Sequence, residues 1–156
     1  MMTYIYRAII ERGEIRDWVV SFPDVPEAVS QAASIADAKL AAQEALGLAL
    51  LSYPMRGKSP PRRAYGEDMR ETVSDSSHHV DIVVEPEVAA KLAVLDAFVA
   101  SKRTKSEFAV MLGKDEKEIR RILDPMHPTK FATLCDALEA LGRRMVIGVT
   151  DLSSAA

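Results

Sequence analysis

Pro86 divides the chain into two hydrophobic patterns that neither an all-α nor an all-β fold can satisfy together. Ahead of it, strand-like stretches of short-period alternation flank one helical stretch; behind it, apolar residues recur at the three- and four-residue spacing of helices. The stretches "YIYRAII" at 4–10 and "DWVVSF" at 17–22 are rich in β-branched and aromatic residues. Between them "ERGEIR" puts Gly13 where a hairpin turn needs it. A third strand is expected within 28–32, after the bend bracketed by Pro23 and Pro26. Ser34 and Asp37 have the spacing of a capping box, opening a helix through Ile35, Ala38, Ala42, Leu46 and Ala49 that stops at Ser52-Tyr53-Pro54. A loop over 54–77, rich in proline, glycine and serine, leads to "HVDIVV", 79–84, a strand with Val80, Ile82 and Val84 on one face. The expected order is β-β-β-α-β.

Pro86 suits the first position of a helix whose stripe is Val88, Leu92, Leu95 and Val99. Two short helices follow. The first, about 106–112, buries Phe108, Ala109 and Leu112; the second, about 116–123, buries Ile119, Ile122 and Leu123 and ends at Asp124-Pro125. A further helix carries Phe131, Leu134, Leu138 and Leu141, with Gly142 at its C-terminal cap. "RMVIGV", 144–149, then reads as a short closing strand. The fold class is α+β: a sheet module over 1–85, an all-α domain over 86–150 with that strand at its end, and a disordered tail over 151–156.

Charge separates the same two regions. Residues 1–101 hold 10 Lys and Arg against 15 Asp and Glu, whereas 102–156 hold 10 against 8. An acidic part joined to a basic one suggests two partners of opposite charge. One cysteine, Cys135, excludes an internal disulfide and a multi-cysteine zinc site. The N-terminus lacks the charged and apolar regions of a signal peptide, and no run of about 18 apolar residues occurs. A cytoplasmic protein without membrane contact is expected.

The basic charge concentrates in 102–130, with 8 Lys and Arg against 5 Asp and Glu, around "KSEFAVMLGKDEKEIRRIL" at 105–123. With Ile119 centred on the buried face and 100° per residue, Lys117 and Arg121 point away from the core and Lys114 lies beside them, while Arg120 and Glu118 take opposite flanks. Gly113 between the helices can take the positive-φ turn that a helix-turn-helix needs. Read as a DNA-binding unit, it offers Lys105, Ser106, Thr129 and Lys130 to phosphates. Base edges would meet Lys114, Lys117 and Arg121, with Glu118 and Arg120 at the margin.

In the order and spacing of these segments the chain resembles HicB-type antitoxins of the subclass ending in a Cro/repressor-like helix-turn-helix. The carriers are "WVVSFPDVPEAVSQAASIADAKLAAQEAL" at 18–46, "VDIVVEPEVAAKLAVLDAF" at 80–98 and "KSEFAVMLGKDEKEIRRILDPMHPTKFATLCDALEALGRRMVI" at 105–147. Where many relatives have a glycine-rich G-x-T before the helix, this chain has "AVSQAAS". The resemblance implies a partial RNase H-like fold for 1–85. It also implies a HicA-type toxin partner, an mRNA-cleaving ribonuclease, and repression of the protein's own operon by a homodimer or higher oligomer on a palindromic operator. Trp18, Phe22 and Asp24 are the candidate toxin-facing residues, Asp24 through attraction to a basic RNA-binding surface.

Catalysis is not expected. An RNase H-like site needs carboxylates converging on two metals, at least one from the first strand, and that strand has none before Glu11. Asp17 and Asp24 do not complete a set. His78 and His79, adjacent in a strand, face opposite ways, and His127 reads as structural or as a phosphate donor. No metal or cofactor is implied. The alternative function is a ligand-sensing transcription regulator without a toxin partner.

Overall fold

The computed structural model describes residues 1–14, 17–63, 72–74 and 76–149. Five strands form one antiparallel sheet: β1 (Ile5–Arg12), β2 (Trp18–Ser21), β3 (Ser30–Ala32), β4 (Thr72–Val73) and β5 (Ser77–Val83), in the order β3-β2-β1-β5-β4. The first strand is central because it pairs with β2 across the hairpin and with β5 along its length, Ile5 opposite Val83 and Glu11 opposite Ser77. Tyr6, Ala8 and Ile10 of β1 are buried with Val20, Val80 and Ile82. Alternation turns Arg7 to the other face, where it pairs with Asp81.

Helix α1 (Ile35–Met55) covers the buried face. The Ser34 hydroxyl caps its start, accepting from the Asp37 N–H at 3.1 Å. The helix does not stop at 52–54 as its sequence suggests, because Pro54 falls in the last turn and costs little more than one ladder bond there. It runs to Met55 and is closed off just beyond by Gly57, whose φ of +67° lets Lys58 N–H reach the Tyr53 carbonyl while Gly57 N–H reaches the Pro54 carbonyl, both at 3.0 Å. The expected loop over 54–77 is correspondingly interrupted by the end of α1, by β4 and by the start of β5. Its described part is pinned to the sheet: the Tyr6 hydroxyl donates to the Pro61 carbonyl at 2.8 Å, and Arg63 pairs with Asp81 at 2.9 Å.

Four helices follow among the described residues: α2 (Pro86–Ser101), α3 (Lys105–Leu112), α4 (Glu116–Ile122) and α5 (Phe131–Ala140). Two apolar cores result. The first lies between sheet and α1 and takes Leu92 and Leu95 from α2. The second joins Ala90, Val94 and Ala97 of α2 to Phe108, Ile119, Ile122, Leu134 and Leu138. The boundary expected at 85/86 therefore falls at the start of a helix that both cores share. A helix buried on two sides should be apolar nearly all round, and "PEVAAKLAVLDAFVAS" is.

Two expectations fail. Phe131 does not join the buried stripe of α5; it opens that helix and is 45% exposed. Residues 144–149 form no strand: a strand exists only by pairing, and this stretch pairs with neither edge of the sheet, β3 or β4. Arg143 ties the start of this segment to buried Asp96 of α2 at 2.9 Å, while Val146, Ile147 and Val149 are exposed. The tail expected over 151–156 lies outside the described residues. Among the described residues, no helix is long and apolar enough to cross a membrane.

Candidate nucleic-acid interface

Helices α3 and α4 are short, so local capping and packing must hold them. At the start of α3 the Thr104 hydroxyl accepts from Glu107 N–H at 3.1 Å, and Thr104 N–H donates to the Glu107 carboxylate at 2.7 Å. That backbone hydrogen bond holds the Glu107 carboxyl below its ordinary range. Gly113 ends α3 with φ +62°, and Lys114 N–H returns to the Ala109 carbonyl at 3.0 Å. Asp115 then caps α4, its carboxylate accepting from Glu118 N–H at 2.8 Å. Phe108 and Ala109 pack with Ile119 and Ile122 in the second core. Ser106 donates to the Glu116 carboxylate at 2.6 Å, a further tie between the pair.

With Ile119 and Ile122 buried, the opposite face of α4 carries its cations. Lys114 pairs with Glu118 at 3.3 Å and Arg120 with Glu116 at 3.6 Å, both on the helix surface. Lys117 and Arg121 are exposed, one turn apart, and neither has a partner among the described residues. Lys105 and Lys130 are also exposed, at the starts of α3 and α5. Not every expected residue is so placed. Ser106 is held by Glu116, and Thr129 is turned inward, its hydroxyl accepting from Lys91 at 2.7 Å.

Lys91 is the residue that helical periodicity missed. It is 5% exposed and donates to the carbonyls of Ile122 at 2.9 Å and Arg121 at 3.5 Å as well as to Thr129. Burial lowers the pKa of its ammonium, with Asp124 opposing. The available signal was a lysine between Ala90 and Leu92 in a helix whose only other charges are Glu87 in its first turn and Asp96.

On the sheet module, Trp18 is half-buried, edge-on to His78 with ring centroids 5.5 Å apart, and has the Arg12 guanidinium over its ring. Phe22 is 1% exposed, sealed in the first core, so it can support a contact surface but cannot form one. Asp24 is half-buried. No group of three or more His, Cys, Asp or Glu able to hold a metal occurs among the described residues.

Fold and site together define an α+β protein in which one helix joins an antiparallel sheet module to a pair of short helices with a cationic outer face. No protein-family model matches the chain. Antitoxin HicB 2 of Photorhabdus laumondii is 33% identical over 82% of this chain and 84% of its own length. Antitoxin HicB 1 of the same organism is 32% identical over 92% and 86%, and antitoxin HicB of Escherichia coli K12 is 31% identical over 82% and 86%. The chain belongs to the HicB antitoxin family.

Proposed function

We propose that this protein is a non-catalytic dual binder. Its sheet module, with a partial RNase H-like arrangement, masks a HicA-type mRNA-cleaving toxin. Its α3–α4 pair acts as a helix-turn-helix that docks the operator of its own operon, with α4 in the major groove. The observation that carries this reading is the outer face of α4, where Lys117 and Arg121 stand exposed behind a fully buried Ile119, their side chains without partners among the described residues. Cations engaged by no carboxylate remain available to base edges and phosphates. One two-turn helix is a small footprint, so a dimer on a palindromic site is proposed, with half-sites about a helical turn apart or a multiple of it.

Arg121→Ala and Lys130→Ala separate the roles, using a duplex from upstream of the chain's own reading frame and a scrambled duplex of equal length. Loss of Arg121 should remove about 1–3 kcal/mol of operator preference. Loss of Lys130 should weaken both duplexes alike and flatten the salt dependence by about 0.9 in log–log slope. Unchanged operator affinity in Arg121→Ala would refute the docking.

A ligand-sensing regulator without a toxin is the second reading, favoured by a cleft of about 460 Å³ between Leu51 of α1, Val88 of α2 and Phe131 of α5. Co-purification with the product of a neighbouring short reading frame decides between the two.

A further inference from the structure

We infer that Lys91 is a positioning residue for DNA reading: its buried ammonium sets where α4 stands against α5. This rests on the DNA-binding role proposed above and names a determinant of specificity that lies behind the interface.

Helix α4 has seven residues, too few to hold its own direction, and its last carbonyls have no partner within the helix. An ammonium has three donors, and Lys91 spends them on Ile122 O at 2.9 Å, Arg121 O at 3.5 Å and Thr129 Oγ1 at 2.7 Å. A cation at this end also meets the negative pole of the helix. Arg121, whose side chain is proposed to read a base, therefore has its own carbonyl shared between Lys91 and the Asp124 N–H at 3.3 Å. Thr129, directly before the proposed phosphate contact Lys130, is held by the Lys91 ammonium. Because α2 packs on both cores, the anchor is itself rigidly mounted. Lys91 is 5% exposed and is not available to touch DNA. A displaced α4 keeps its charges but loses register with base edges, so specific binding should suffer and non-specific binding should not.

The test uses Lys91→Met in the full chain, which keeps much of the stem and removes the donors. Operator affinity should fall about ten-fold or more, the scale of a lost charged hydrogen bond, with affinity for the scrambled duplex and the salt slope unchanged. Amide hydrogen exchange should quicken over residues 119–127 and stay as it was in β1 and β5. Thr129→Val, which removes one acceptor, is the milder variant and should move both readouts the same way by less. Equal losses on both duplexes, with faster exchange throughout, would overturn the inference in favour of a general stability role. So would unchanged operator affinity where Arg121→Ala lowers it. Arg121→Ala without effect would instead sink the DNA-binding reading beneath, and unaltered exchange in α4 would overturn the role of Lys91 whatever Arg121 does.

Discussion

Tyr6 shows what a single buried polar group imposes on this fold. Its ring is 2% exposed in the first core, and its hydroxyl donates to the Pro61 carbonyl. Burial, followed by the charges of Asp24 and Asp96, pushes its pKa from 10.0 to about 12. Below pH 10 the phenol is protonated in both folded and unfolded chains, so its contribution is complete. Between pH 10 and about 12 the unfolded chain releases the proton while the folded one retains it, and stability falls. The loss attributable to Tyr6 is roughly 2–3 kcal/mol. Tyr6→Phe should flatten this alkaline decline, at a cost near neutrality of about 1 kcal/mol for the missing hydrogen bond. Urea denaturation from pH 8 to 11.5 reads both effects; an unchanged alkaline slope would contradict the assignment. The tyrosine's burial follows from alternation along β1, but its partner Pro61 lies 55 positions away and no local pattern indicates it.

The α3–α4 pair depends on its terminal residues more than on its length. Gly113 sits at φ +62°, and a Cβ built there would meet nothing within 4 Å, so the cost of a side chain is backbone strain alone. Gly113→Ala should destabilise the protein by about 1–2 kcal/mol in chemical denaturation. A variant with unaltered stability would mean that the turn relaxes into another conformation. The pair was legible because its signals are local, Gly113 and the apolar spacing on either side of it; the caps at Thr104 with Glu107 and at Asp115, equally local, emerge only in the structure. The closing stretch 144–149 shows the limit. Its β-branched composition is that of a strand, yet it lies against neither β3 nor β4, the two edges of the sheet, and composition cannot show whether an edge comes within reach.

In the whole molecule, α2 makes two cores behave as one. Leu92 and Leu95 pack with the sheet and α1, while Val94 and Ala97 pack with α3, α4 and α5. The single tryptophan, Trp18, reports on the sheet, whereas far-UV circular dichroism is dominated by the helices. Unfolding followed by the two signals should coincide. Two separated midpoints would show that α2 does not couple the cores. Beyond the single chain, the dimer proposed above would need a surface to pair through, and exposed Val146, Ile147 and Val149 offer an apolar one. Val146→Asp with Ile147→Asp should lower the mass measured by light scattering and weaken operator binding. Retention of the original mass would place the dimer contact elsewhere.

By itself, the sequence determined the presence of every helix, the strands β1, β2, β3 and β5, the Ser34 cap, the Gly113 turn and the cationic face of α4, but neither β4 nor the failure of 144–149 to pair. Each legible feature follows from residues a few positions apart, through alternation, helical spacing or capping. Tertiary structure alone decided that α2 belongs to both cores, that Phe22 is sealed away while Trp18 stays at the rim, and that Lys91 grips α4 from behind. Those outcomes depend on which faces meet across 30 or more residues. A buried lysine has the same letter as a solvated one until its acceptors, carbonyls at 121 and 122 and a hydroxyl at 129, are brought to it.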